Sequence, residues 1–150
     1  MLAFVGRDAP TGGLPAQYEE GLRTALDYFR DAAPLHTQDE EDSLFPRLGR
    51  SQEAATIIVR LEAEHSLTEP YHAEIEELGR AWLSHGDLSS QCRDRFAECV
   101  DILLAVYQEH IRVEDEELFP LAATILKPDE VEAIGEEMAS RRGLVKGEGK

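Results

Sequence analysis

Cysteine is scarce in this chain: Cys92 and Cys99 are the two found in 150 residues. They fall seven residues apart on one helical stretch, which puts their Cα atoms roughly 10 Å apart at a rise of 1.5 Å per residue. That is too far for an intramolecular disulfide, so a disulfide-stapled fold is excluded. Long apolar runs are missing as well. Stretches such as Ile102 to Val106 are far too short to span a bilayer, and Met1 to Gly6 lacks the basic start and full apolar region of a secretory signal. The expectation is a cytoplasmic protein. Positive charge is also in short supply, with 15 lysines and arginines against 31 aspartates and glutamates and a formal net charge of -16. Such a field repels phosphate backbones and anionic lipid, which argues against nucleic acid or membrane partners and makes cations the natural counterparts. Finally, no Gly-rich phosphate loop, dinucleotide fingerprint or nucleophile with a paired base occurs, so an enzyme acting on an organic substrate has no positive support.

What remains is an ordinary globular balance, 42% hydrophobic and 31% charged, on a chain long enough for one domain with one core. Apolar spacing is helical almost throughout, and no window alternates like a half-buried strand, so the fold class is all-α. Leu14 to Arg30 places Leu14, Tyr18, Leu22, Ala25, Leu26 and Phe29 on one stripe. A second helix runs from about Leu35 to Leu48, and Ser51 caps a long one that reaches about His85 and bends, without stopping, at Pro70. Ser89 or Ser90 starts the next, which buries Phe96, Val100, Leu103, Leu104, Tyr107, Ile111 and Leu118. After the break at Lys127-Pro128-Asp129, a short helix from Glu130 to Arg142 turns Val131, Ile134 and Met138 inward. Long helices joined by short turns make a bundle. Residues 1–13 read as the last turn of an absent helix followed by a polar loop, and residues 143–150 as a frayed tail.

The chain repeats itself at an offset of 74 residues. His36-Thr37-Gln38-Asp39-Glu40-Glu41-Asp42-Ser43-Leu44-Phe45-Pro46 aligns with His110-Ile111-Arg112-Val113-Glu114-Asp115-Glu116-Glu117-Leu118-Phe119-Pro120. Each copy sets a carboxylate four residues after a histidine, so imidazole and carboxylate leave one helix face about a turn apart. Two such helices facing each other offer two imidazoles and two carboxylates, a mixed nitrogen and oxygen set that favours iron, manganese or zinc over calcium or magnesium. His65, in the middle of the long helix's apolar face, supplies a third imidazole. Glu69 and His72 follow on the same face, with His72 roughly 10 Å further along the axis than His65. His72 reads as a hydrogen-bonded buried histidine, Glu41 and Asp115 as alternative ligands at most, Cys92 and Cys99 as small core residues, and Tyr107, Phe45 and Phe119 as packing around the site.

His36-x-x-x-Glu40-Glu41 with Leu44-Phe45-Pro46, Glu64-His65, and His110-x-x-x-Glu114 with Leu118-Phe119-Pro120 together resemble the hemerythrin-like HHE cation-binding family over roughly residues 14 to 142. The resemblance implies an up-and-down four-helix bundle with a non-haem di-iron centre. His36, His65 and His110 would be imidazole ligands, and Glu40 and Glu114 bridging carboxylates. It also implies a role in binding or sensing oxygen, nitric oxide or redox state. The family pattern begins with a histidine on a first helix, and no histidine precedes His36 here. Met1 to Val5 resembles the end of that helix, so the expectation is a truncated first helix and an open coordination position.

A bundle short of one helix exposes apolar surface, worth many kcal/mol at about 25 cal/mol per Å² for several hundred Å². Self-association as a homodimer is therefore expected. A rival reading keeps the fold without the metal: an all-helical module that binds a partner helix in the exposed groove.

Overall fold

The amphipathic periods fold into helix over nearly every residue that the computed structural model describes, which are residues 12–144. The expected helix remnant and most of its loop, residues 1–11, lie outside the described residues, as does the tail beyond residue 144. Among the described residues there is no strand, only an isolated bridge between Gly13 and Asp87. In order, the elements are α1 (Ala16–Asp31), α2 (Ala33–Gln38), a first π turn (Asp39–Leu44), α3 (Phe45–Leu48), α4 (Gln52–His85), α5 (Ser90–Val113), a second π turn (Glu114–Leu118), α6 (Phe119–Ile125) and α7 (Pro128–Arg141). Pro70 lies inside α4 and does not end it. Among the described residues, no helix is long and apolar enough to cross a membrane. The chain divides into two compact units, one formed by residues 12–33 and 64–109, the other by residues 34–63 and 110–144.

The first unit closes on Leu22, Leu26, Ile75, Trp82, Phe96, Cys99, Val100 and Leu103. Trp82 is fully buried, meets Phe96 edge to face at 5.8 Å between ring centroids, and donates its indole N–H to the Gly12 carbonyl at 3.0 Å. That carbonyl also accepts from the Leu88 amide at 3.0 Å, while the Leu14 amide donates to the Gly86 carbonyl at 2.8 Å. Gly12 can serve this role because its φ is +86°, and a Cβ there would lie 2.9 Å from the Leu88 carbonyl oxygen. Gly79 lets α1 come close, since a Cβ at that position would sit 2.8 Å from a Leu26 methyl. Cys99 is buried, and burial pushes its thiol up to about 11, leaving it an inert core residue as expected. His72 contacts the Tyr107 hydroxyl at 2.5 Å and stacks edge to face on Phe29, and burial lowers its pKa. It is the hydrogen-bonded histidine the sequence suggested, and Tyr107 packs in this unit's core.

The second unit closes on Phe45, Leu48, Ala54, Ile58, Leu61, Val113, Leu118 and Ala122. α7 starts at Pro128, preorganised for a first helical turn, and the Glu130 carboxylate reaches back to the Lys127 amide at 2.9 Å. Arg50 grips Glu130 and donates to the Ile125 carbonyl at 3.0 Å, while Arg47 grips Glu137 at 2.7 and 3.1 Å. Arg50 and then the Lys127 amide hold the Glu130 carboxyl at about 2, and Arg47 and then Ser43 do the same for Glu137. Both groups are depressed from about 4.5, so their stabilisation is complete above that value and is lost as pH falls towards about 2. Amide exchange within Pro128–Arg141 should therefore accelerate between these limits, ahead of α5. Protection that is unchanged down to about pH 2 would count against these ion pairs as anchors of α7.

Four expectations of burial are corrected. Leu104, Ile111, Phe119 and Val131 are all exposed. On α5 the buried positions are Phe96, Cys99, Val100 and Leu103, then His110 and Val113. Leu104 and Ile111 each stand one residue off that stripe, about 100° round the helix. Val131 is similarly displaced from the docked face of α7, which runs through Glu130, Ile134, Glu137 and Arg141. In the second repeat Leu118 is buried where Phe119 is not, while in the first Phe45 is buried and Leu44 only half-buried.

Candidate metal centre

Both repeat copies break α-helical regularity at the same place. The Phe45 amide bonds the Glu40 carbonyl and the Phe119 amide bonds the Glu114 carbonyl, each five residues back, so both carboxylates sit in wide π turns. Proline is the local cause. Pro46 and Pro120 have no N–H to offer Asp42 and Glu116, and in a regular helix their rings would strike those carbonyls. The expected single helix from Leu35 to Leu48 is thus α2, a π turn and α3.

The spacing delivers the expected pairs. His36 Nε2 lies 3.3 Å from Glu40 Oε1, and His110 Nε2 lies 3.2 Å from Glu114 Oε1. One ligating atom each from His36, Glu40 and Glu114 fall within 4.8 Å of one another, and the same limit joins Glu40 to His110. All four residues belong to the second unit. Exposure is unequal: the side chain of His36 is 57% exposed and that of His110 5%, with the Glu40 and Glu114 side chains at 4% and 6%. His65 stands on α4 in the other unit, half-buried, one helical turn beyond the buried Leu61 and on the same face of the helix. Glu41 is half-buried and Asp115 exposed. Glu116 and Glu117 are exposed and pair with Arg112 at 2.9 and 3.3 Å, a solvated acidic face.

Burial opposes the charge on Glu114. The neighbouring His110, then Glu40, and the positive charge available on His110 and His36 outweigh that cost and hold its carboxyl below the usual carboxylate range. Its Oε1 accepts no hydrogen bond, although His110 Nε2 is so near. A buried carboxylate oxygen left without a proton donor is costly, and an imidazole nitrogen close to it but not aligned on it is the arrangement of two groups facing a common third atom. Two imidazoles and two carboxylates fit a transition-metal cation on donor chemistry.

Asp39 and Ser43 carry a part of this site that sequence reading missed. Asp39 is buried beside Glu40, with Arg141 Nη1 on Oδ1 at 2.8 Å and Arg142 Nη2 on Oδ2 at 2.6 Å. Burial raises its pKa, but Arg142 and Arg141 together hold it below the ordinary carboxylate value. The available signal was the i, i+4 spacing of Asp39 and Ser43 with an Arg-Arg pair at the end of the last helix, which local periodicity does not connect.

A family model described as the hemerythrin HHE cation binding domain matches residues 1–122. An uncharacterized protein of Haemophilus influenzae is 34% identical over 122 residues, covering 78% of this chain, and the chain spans 65% of that protein's length.

Proposed function

The chain belongs to the hemerythrin HHE cation-binding domain family, and from that premise we propose that it binds iron, one or two ions. His36, His65 and His110 are the proposed imidazole ligands, and Glu40 and Glu114 the proposed carboxylates. The observation that carries the reading is the buried Glu114 Oε1 without a hydrogen bond, beside His110 Nε2 and within reach of His36 and Glu40. For His65 the support is the family pattern and its place on α4. Iron held by these residues would supply a centre able to coordinate oxygen or nitric oxide and to exchange an electron. A carrier or sensor of these molecules, or of redox state, is the proposed role. The protein's own contribution is asymmetric: Phe45, Val113 and Leu118 keep water from the buried side, and His36 gives access from solvent. Two free thiols on a disulfide-free chain suit a reducing, cytoplasmic setting, which is part of the proposal. The test is elemental analysis of the protein purified without added metal or chelator, with an optical spectrum. Between one and two irons per chain is the expected result. No bound iron, after a repeat from iron-supplemented cells, would overturn the reading in favour of a metal-free module.

Self-association belongs to the same proposal. Val59 and Leu67 lie exposed on α4, and Leu104 and Ile111 lie exposed seven residues apart on α5, close to two turns and so on one face. Apolar side chains aligned on exposed helix faces gain by being covered, and a homodimer is the simplest closed way to cover them. Sedimentation should show a dimer at micromolar concentration, and a stable monomer would refute it.

A further inference from the structure

The structure assigns a positioning role to Asp39: clamped by Arg141 and Arg142 from the end of α7, it fixes the π turn that presents Glu40 and so sets the affinity of the cation site. A π turn is a rare helical form; Pro46 opens this one locally, and contacts from outside it fix its geometry. Here Arg141 forks across the turn, with Nη1 on Asp39 Oδ1 at 2.8 Å and Nη2 on Ser43 Oγ at 2.6 Å, four residues apart. Arg142 Nη2 takes the other Asp39 oxygen at 2.6 Å, and Arg47 Nη1 takes the Ser43 carbonyl at 2.7 Å while its guanidinium is itself held by Glu137. Three guanidinium groups thus fix both ends of the turn, and the planar fork of Arg141 fixes their spacing as a point charge could not. Asp39 is 5% exposed at its side chain and Arg141 19%, so the bonds between these two are largely shielded from water, and the Arg142 bond less so.

The second π turn is held otherwise: Arg112, on the adjoining end of α5, pairs with Glu116 and Glu117 at the surface. The clamp is therefore particular to the Glu40 side. It is supplied by Arg141, the last residue of α7, and Arg142, which follows it, both beyond the 122 residues that match the family model. Membership of the family does not by itself imply it. Glu40 directly follows Asp39 in the chain, so any shift of the clamped carboxylate moves the backbone that carries the proposed ligand.

This inference rests on the reading of Glu40 as a ligand, and its test separates the two. Full-length wild type, Arg141→Gln/Arg142→Gln, Arg142→Gln alone and Arg141→Lys are titrated with Co²⁺ against a competing chelator, recording the visible ligand-field spectrum. Amide exchange across residues 36–48 and helical circular dichroism are measured on the metal-free forms. The double variant is expected to bind Co²⁺ about 10–100-fold more weakly, with an altered spectrum, the scale seen when groups that orient a metal ligand are removed. Exchange should rise across residues 39–44 with helix content retained. If the double variant does not fold, Arg142→Gln, which removes one bond from Asp39 and leaves the Arg141 fork, should still weaken binding and loosen the turn. Arg141→Lys keeps the charge but offers a single nitrogen where two reach Asp39 and Ser43, so it should resemble the loss of the arginine. Wild-type affinity and spectrum in all folded variants, or full rescue by lysine, would overturn the positioning role while leaving the metal site standing. Failure of the wild type itself to take up Co²⁺ would remove the metal site and the clamp's function with it.

Discussion

His110→Ala and Glu114→Ala are each expected to strip most of the iron from the purified protein while leaving it folded. The expectation follows from where these two residues lie. Both are buried, each keeps the other close, and Glu114 Oε1 has no hydrogen bond to fall back on. Removing an outer partner of a metal ligand costs about 10–100-fold in affinity, and loss of a ligand should exceed that. His36→Ala should be milder, because its imidazole is more than half exposed and water can enter its place. Iron per chain and the intensity of the optical band are the measurements. Glu114→Gln sharpens them: it keeps size and shape but loses the charge, so iron retained in Glu114→Gln and lost in Glu114→Ala would mean that the site is held by packing. Wild-type iron in both alanine variants would place the ion elsewhere, and the rival reading of a metal-free helical module would then gain.

Trp82→Ala is expected to cost about 3–5 kcal/mol, the range for deleting a large aromatic from a well-packed core. Against a total stability of about 5–15 kcal/mol that is a large share. Trp82 is fully buried, lies against Phe96, and is tied through its indole N–H to Gly12. No neighbour can swing in to fill the gap, since Phe96, Leu22, Leu26 and Ile75 are themselves fully buried. Trp82→Phe keeps most of the apolar volume and gives up the hydrogen bond, so about 1–2 kcal/mol is expected, the lower part for the bond and the rest for the smaller ring. Urea denaturation followed by circular dichroism measures both. A loss under about 1 kcal/mol for the alanine variant would contradict the packing described for the first unit.

The helices and the two His-x-x-x-Glu pairs were legible in the sequence because each depends on neighbours three or four residues apart. His36 with Glu40 and His110 with Glu114 follow directly from that spacing, as does the stripe through Leu22 and Leu26. The π turns were not legible by the same method, since a search at 3.6 residues per turn has no place for an extra residue. Pro46 and Pro120 were visible and marked the motif's end, yet their effect on the preceding carbonyls is a matter of backbone sterics. Leu104, Ile111 and Val131 were assigned inward because an apolar residue beside a buried stripe scores like a member of it. The Asp39 clamp was out of reach, for its partners lie 102 and 103 residues away and nothing local announces them.

The π turns also act as phase shifters. Each inserts one residue beyond a regular helical count, so the segment after the turn is rotated by about 100° relative to the segment before it. In the first copy this allows one continuous stretch to aim Glu40 at one neighbour and Phe45 and Leu48 at the hydrophobic interior. A deletion of Asp42, which is exposed, removes no contact of consequence by itself. It would nevertheless take one residue out of the count between Glu40 and Phe45 and swing the two functions out of step. Length at this point, rather than the identity of the side chain deleted, is the quantity to which the protein is sensitive.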